Sequence, residues 1–400
     1  MSEPHPLRVA VIGGGIAGLA AASVLRRSHH VTVYERNPAG TQESGAAVGL
    51  GPNGSKMAKV MGLTQDALQA VVSSGFRAYD EAGILIKEAR MDCKKAFGSE
   101  WWMVHRQDLK EALLAMATDP SLPGRPAEIV YGSRVEVIDA EAGIIRLPDG
   151  SSEEVDLIIG ADGIYSTVRP AVVGHDHPSP VPANLSLYRF TLPKSDMIRI
   201  LGEVPEPLKY DPDVFLSSFI ASDGSNRNVV VYPCRNLQTM NFACAVPDDM
   251  LRQSTEESWT KDGDVEEMID HFKDFPAWLL TIMRSLSTVK LYQLRDADPL
   301  PTYTKGVVAL LGDAAHPMVP YQGQGANQAL EDAQALRLFL NPDFSKGSVG
   351  SILRRWDELR RPRASQVQTN SRIAAAKVSP EIIMKRMKFN WDYDGVEAVA

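Results

Sequence analysis

Gly13, Gly15 and Gly18 stand at G-x-G-x-x-G spacing, and Glu35 follows twenty-two residues after the first of them. Three glycines so spaced can turn the chain sharply, admit a pyrophosphate to the backbone and let a helix close on a strand. A helix starting there offers free N–H groups and positive potential to a diphosphate. An acid at the end of the next strand can accept ribose hydroxyls. Arg106, in the first turn of a helix opened by Val104–Leu109, opposes the dipole preference for acids, which points to a bound anion beside it. Asp162 sits between Gly160 and Gly163 after a buried-type strand, a good loop for sugar or phosphate contacts. Asp313 ends a second apolar strand, and the turn at Gly325 aims a helix start at the same crevice. Arg189 shares a strand face with Leu185 and Leu187, where a cation is costly unless it meets an anion.

These residues need elements to hold them. Leu7–Ile12 and Val31–Tyr34 read as strands around a helix from Leu19 to Arg27. Val155–Ile159 and Val307–Leu311 read as further buried strands, the latter leading into a helix from Ala326 through Leu338. The small residues of Glu43–Asn53 suggest a backbone lying against something flat. Phe76–Tyr79 and Ile84–Lys87 form a hairpin, and Asp149-Gly150 turns another. From about Pro178 to Val246 strands follow without helices: Leu185–Phe190, Val214–Ile220, Asn228–Tyr232 and Met240–Val246. That pattern predicts an inserted antiparallel sheet, with Pro233 ending the ladder beside Tyr232. Asp264–Ser285 reads as helical. The arginines at 354, 355, 360, 361 and 363 read as a solvated helical face. The expected division is 1–75, 98–177 and 287–340 for nucleotide binding, 76–97 and 178–286 for substrate, and 341–400 as a C-terminal helical region.

Composition limits the partners. The net charge is −8 with no basic cluster, which argues against nucleic acid. Cys93, Cys234 and Cys244 form no C-x-x-C pair, which suggests a reducing, cytoplasmic setting. His175-Asp176-His177 lies in a Gly/Pro-rich turn without a ligand cluster, so no metal is expected. Arg8 followed by uncharged Val9–Leu25 imitates a secretory signal, but the glycine spacing and the strand to Glu35 fit a nucleotide fold better. The run is too short and glycine-interrupted to span a membrane.

Together these segments resemble the single-component FAD-dependent aromatic monooxygenases of the salicylate hydroxylase type. The resemblance rests on Gly13–Gly18 with Glu35, on Gly160–Arg169, on Gly312–Pro317, and on Tyr321-Gln322-Gly323-Gln324-Gly325-Ala326. Tyr232-Pro233-x-Arg235 and Trp356–Arg363 extend it over nearly the whole chain. It implies an α/β fold, a Rossmann-like FAD domain of the glutathione-reductase type with an inserted antiparallel substrate domain. It implies FAD rather than NAD in the N-terminal site, with NADPH or NADH and O2 as co-substrates. Gly13, Gly15 and Gly18 would hold the pyrophosphate, and Glu35, with Arg36 beside it, the adenosine ribose. Arg106 would face the phosphate and ribityl side, Asp162 both FAD and the nicotinamide donor, and Asp313 the ribityl or pyrophosphate region. Ala47, where the family usually has glycine, and Val48 would touch the flavin. The helix start at Gly325, Ala326 and Asn327 would stabilise negative charge on reduced flavin. The implied reaction is hydroxylation of a phenolic or polyketide-derived aromatic through a C4a-hydroperoxide, with Arg189 and Tyr232 binding and polarising the substrate. His316 could serve as a base, but Pro317 and its motif favour a structural role. Phe190, in place of a smaller residue, narrows the approach to its strand. Oxidation of an indole or isoprenoid alkene, and a flavin protein that does not oxygenate, are the competing readings. A monomer or homodimer is expected.

Overall fold

The apolar run at Arg8–Ile12 can be covered on both faces, and Val9, Ala10 and Val11 are almost completely buried. The computed structural model describes residues 6–41, 46–210, 212–252, 262–341, 345–373 and 379–398. Glu43, Ser44 and Gly45 of the small-residue loop lie outside them. Arg8–Ile12 is central in a six-stranded sheet ordered Thr304–Lys305, Val308–Leu310, Leu157–Gly160, Arg8–Ile12, His30–Glu35 and Glu128–Tyr131. Thr304–Lys305 pairs antiparallel and the other neighbours pair in parallel. Helix Ile16–Leu25 starts three residues earlier than the sequence suggested. It is apolar all round because it is enclosed by the sheet and by helices Arg106–Thr118 and Gly325–Ala335. A three-stranded meander, Val137–Asp139, Ile144–Arg146 and Ser152–Glu154, turns at Asp149-Gly150. Among the described residues no helix is long and apolar enough to cross a membrane.

The second large sheet has eight strands. Their order is Asp262–Gly263, Val289–Asp296, Val181–Pro193, Thr239–Pro247, Asn228–Cys234, Phe215–Ile220, Gly75–Asp80 and Leu85–Arg90. Alternation separates its faces. Tyr188, Phe190 and Leu192 join a core with Met197, Phe272, Leu279 and Met283 from the helices packed on one side. Leu185 and Leu187 join Ala245 and Leu294 on the other, which looks toward the nucleotide-binding part.

Three expectations are corrected here. Residues from 287 onward were assigned to the nucleotide-binding part, yet Val289–Asp296 pairs along Val181–Arg189. Its Val289 and Leu291 are buried in the substrate-sheet core. Asp264–Ser285 is two helices, Val265–His271 and Ala277–Arg284, broken before Pro276. Pro233 does not end its ladder, because the strand continues and Pro233 pairs with Met240. The strand on its other side, Phe215–Ile220, reaches only as far as Val231, so a missing N–H there costs no bond. The turn comes after Cys234, where Arg235, Asn236 and Leu237 all have positive φ (50°, 52° and 67°).

The join between first strand and first helix leaves no room for a side chain. A Cβ at Gly18 would lie 1.9 Å from the Gly13 carbonyl oxygen. Gly18→Ala is expected to lower stability by about 1–3 kcal/mol, read from chemical unfolding. An unchanged midpoint would show that the turn can relax.

Candidate active site

The crevice lies at the carboxyl ends of the parallel strands. Gly13 has φ +106°, and a Cβ there would sit 2.4 Å from Ala161 O, so the turn requires glycine. A Cβ at Gly15 would meet nothing within 4 Å, which leaves open space above the helix start. That start has no side-chain cap, so its first N–H groups face the space. Glu35 accepts the Gly14 N–H at 2.7 Å through Oε2 and the Asn37 N–H at 2.8 Å through Oε1. Its carboxylate thus shapes the glycine turn as well as facing any ribose. Arg36 is exposed.

Two loops close the floor. Asp162 Oδ2 accepts from the Thr167 N–H (2.6 Å), the Thr167 hydroxyl (3.0 Å) and the Val168 N–H (3.2 Å). Its Oδ1 is buried and has no partner. Arg169, quoted in the motif but given no role from sequence, joins the two loops. Its guanidinium donates to Ile164 O (2.9 Å), Ala314 O (2.7 Å) and Asp313 O (2.7 Å). Burial lowers its pKa, against the raising effect of Asp162 and Asp313. The Asp313 side chain is half-buried and receives no hydrogen bond among the described residues.

The far wall is built by the inner strand Ala47–Leu50, which pairs with Trp102–His105. The Ala47 N–H donates to Asn241 Oδ1 at 2.9 Å, and Ala47 O accepts the Tyr232 hydroxyl at 2.8 Å. The substrate sheet therefore grips this peptide from both sides. The Ala47 methyl is buried among Val71, Trp101, Met103 and Tyr232, while Val48 packs toward the nucleotide core. Asn327 Nδ2 donates to Gly49 O (3.0 Å) and Gly323 O (2.7 Å), tying this strand to the turn ahead of helix Gly325–Ala335. Positions 323 and 325 are open, and no side chain caps the helix. Ala326, in its first turn, is half-buried.

Arg106 heads helix Arg106–Thr118, and its N–H donates to Ala46 O at 2.9 Å. Two residues on, buried Asp108 takes a bidentate grip from Arg235 at 2.6–3.1 Å. This pair, unassigned in the sequence, ties the left-handed turn of the substrate sheet to the nucleotide-binding part. Arg189 lies on the inward sheet face, its Cζ 5.9 Å from the Tyr292 ring centre, and its Nε is buried without a partner. Burial lowers its pKa, and the nearby Arg106 cation adds to this. Tyr232 is a correction. It was assigned to polarise substrate, but its hydroxyl proton is committed to Ala47 O, and burial raises its pKa above the ordinary phenol range.

Behind the loops lies a buried ionic network, which corrects the solvated reading of the arginine run. Asp332 Oδ2 meets His316 Nε2 (2.7 Å) and the Gly312 N–H (2.9 Å), and its Oδ1 accepts Arg360 Nε (2.9 Å). Arg360, 0% exposed, also reaches Glu331 (2.7 Å) and Gln328 Oε1 (2.8 Å). Arg363 and Asn53 complete the shell of Glu331 at 2.7–2.9 Å. Arg354 and Arg355 do face solvent. The inward arginines face this way because Glu331 and Asp332 on the crevice helix are buried acids that need counter-charge. His316 is held wholly inside this network, away from the crevice.

Burial alone would raise both acids' pKa values. Arg363 and Arg360 reverse this for Glu331, as His316 and Arg360 do for Asp332, leaving both low. Arg360→Leu should cost about 3–5 kcal/mol by leaving a buried charge unpaired, whereas Arg355→Ala should change stability by less than about 0.5 kcal/mol. The network's contribution should be complete above about pH 4–5, where the carboxylates of the unfolded chain are ionised. It should be lost as pH falls through the lower folded values. Denaturant midpoints from pH 7 to 3 check both points, and equal costs for the two variants would return the arginines to the surface.

Residues 6–371 match the FAD binding domain family. The chain is 31% identical over 381 residues to hispidin-3-hydroxylase of Neonothopanus nambi, covering 92% of this chain and 89% of that protein. It is 31% identical to the 3-amino-4-hydroxybenzoate 2-monooxygenase PtnB3 of Streptomyces platensis, covering 92% and 87%. Among solved structures it is similar to a salicylate hydroxylase substrate complex, with TM-score 0.75 and 27% identity over 97% of this chain and 96% of that one. With the glycine turn, the two acid-bearing loops and the inserted sheet in one crevice, the chain belongs to the salicylate hydroxylase-like family of FAD-dependent monooxygenases.

Proposed function

We propose that this enzyme uses NAD(P)H and O2 to hydroxylate an aromatic small molecule of phenolic or polyketide-derived type. The carrying observation is Arg189, a cation on an apolar face with a buried, unpartnered Nε. Such a group calls for an anionic oxygen, and a phenolate or carboxylate would supply it. The names of the relatives support the same class, since one acts on hispidin and another on 3-amino-4-hydroxybenzoate.

The residues fit FAD. Open space above Gly15 and an uncapped helix start suit a diphosphate, and the orphaned Oδ1 of Asp162 and the free carboxylate of Asp313 suit hydroxyl donors. Bound FAD supplies the redox chemistry, taking two electrons from NAD(P)H and using O2 to deliver one oxygen atom to substrate and release the other as water. The chain's own part is positioning. The N–H groups at Gly325, Ala326 and Asn327 place positive potential where negative charge gathers. Leu185, Leu187 and Ala245 keep water off the sheet face above the crevice. Arg189 orients the substrate oxygen and favours its ionised form, while Tyr232 and Asn241 hold the Ala47 peptide. The three cysteines are buried thiols, which fits a reducing compartment such as the cytoplasm.

Arg189→Ala or Arg189→Gln should keep FAD and its visible spectrum while product formation falls by about one to two decades, the loss of a charged hydrogen bond of roughly 1.5–3 kcal/mol. Product and hydrogen peroxide are counted per NADPH consumed, with a panel of phenols, indoles and prenylated compounds. Wild-type coupling in Arg189→Ala would shift the assignment to alkene oxidation. Asp313→Ala should leave a folded chain depleted of FAD. A variant that retains full FAD but melts much lower would make Asp313 structural.

A further inference from the structure

The family match ends at residue 371, yet helix Pro380–Trp391, beyond it, reaches the crevice. It is gripped there in four ways. The buried Asn390 donates through Nδ2 to Gln322 Oε1 at 2.7 Å. Gln322 directly precedes Gly323, whose carbonyl is held by Asn327. Trp391 packs its ring 5.6 Å from Trp101 and 5.2 Å from Phe97, and its Nε1 lies 2.6 Å from where a Cβ on Gly51 would be. Gly51 joins the inner strand to helix Pro52–Met61. From that helix Lys56 Nζ donates to Trp391 O (3.1 Å), Tyr393 O (3.3 Å) and the Asp394 carboxylate (2.7 Å). Arg363, bound to Glu331, also donates to Phe389 O and Asn390 O at 2.8 Å. Two cations thus satisfy the negative end of the terminal helix and fix it to the buried network.

The helix end therefore touches both segments that flank the open space at Gly323 and Gly325, the inner strand through Gly51 and the Pro320–Gln322 turn through Gln322. Gly51 has no side chain of its own, so Trp391 fills the volume against it. We propose that Asn390 and Trp391 are positioning residues for FAD, setting the distance between the inner strand and the turn that starts helix Gly325–Ala335. The segment after the family domain would then tune how firmly, and in what polarity, the flavin is held.

The test uses the full chain. FAD-free protein is titrated with FAD by flavin fluorescence, the visible spectrum of the bound flavin is recorded, and melting of the FAD-free chain is measured alongside. Asn390→Leu and Trp391→Leu should weaken FAD binding by about tenfold and shift the visible bands, and Trp391→Phe should restore most of both. If Trp391→Leu does not fold, Lys56→Met, which removes one of the two cations that hold the helix end, should give the same shift. Unchanged FAD affinity and spectrum in both Asn390→Leu and Lys56→Met, with only a lower melting temperature, would overturn the proposal. This inference rests on the FAD site and not on the substrate. A wild-type enzyme that forms no product would count against the proposed reaction while leaving the FAD titration to decide this point.

Discussion

The crevice depends on the buried pairing of Glu331 and Asp332 with Arg360 and Arg363. Two carboxylates and two guanidiniums balance in number, and each is held by short, directed bonds. Burying them without that geometry would be strongly unfavourable. The network also acts at a distance along the chain. Asp332 holds the Gly312–His316 loop, Glu331 holds Asn53 at the start of the helix after the inner strand, and Arg363 holds the terminal helix. Segments from five parts of the sequence thus meet on one charge cluster. A shift in any of them would break a bond whose replacement by water is blocked.

Arg169 plays the matching part on the other side. It has no carboxylate partner within hydrogen-bond reach and instead satisfies three carbonyls in the two loops that carry Asp162 and Asp313. The loops cannot separate without leaving donors of a buried guanidinium unmet. Asp162 spends one oxygen on its own turn and keeps the other, and Asp313 keeps its carboxylate. The free oxygen of Asp162 is one of several buried polar atoms without a hydrogen bond among the described residues, and with the Asp313 carboxylate it leaves acceptor capacity in the two loops at the strand ends.

What was legible in the sequence was what local backbone geometry demands. Gly13 needs a positive φ and Gly18 a missing Cβ, and both needs are met within one turn. The alternation through Leu185, Leu187 and Arg189 was legible because the strand period is two residues and a cation breaks it. What was not legible depends on partners far along the chain. Arg360 and Arg355 look alike in a helix, and only Glu331 and Asp332, nearly thirty residues earlier, decide which one is buried. Tyr232 looked like a substrate donor because nothing near it in sequence reveals that Ala47 O takes its proton. Pro233 looked like a strand end because the extent of the neighbouring strand cannot be read from its own residues. Val289–Asp296 looked like the return of the nucleotide fold, and its pairing with Val181–Arg189 is set by a contact a hundred residues apart.

The electrostatics of the inward sheet face follow from these placements. Arg189 faces the field of Arg106, and burial disfavours its charge further. The Arg106 backbone N–H is bonded to Ala46 O at the head of its helix, and Asp108 in the same turn is committed to Arg235. Tyr232 stays neutral because its proton is shared with a carbonyl and burial opposes its loss. The protein thus brings two positive groups into one another's field on this sheet face. An anionic oxygen bound there relieves both repulsion and desolvation at once, whereas a neutral alkene relieves neither. On the proposed reading, the sheet face would discriminate by charge before it discriminates by shape. For the hydroxylation proposed above, this would favour the ionised, electron-rich form of an aromatic ring.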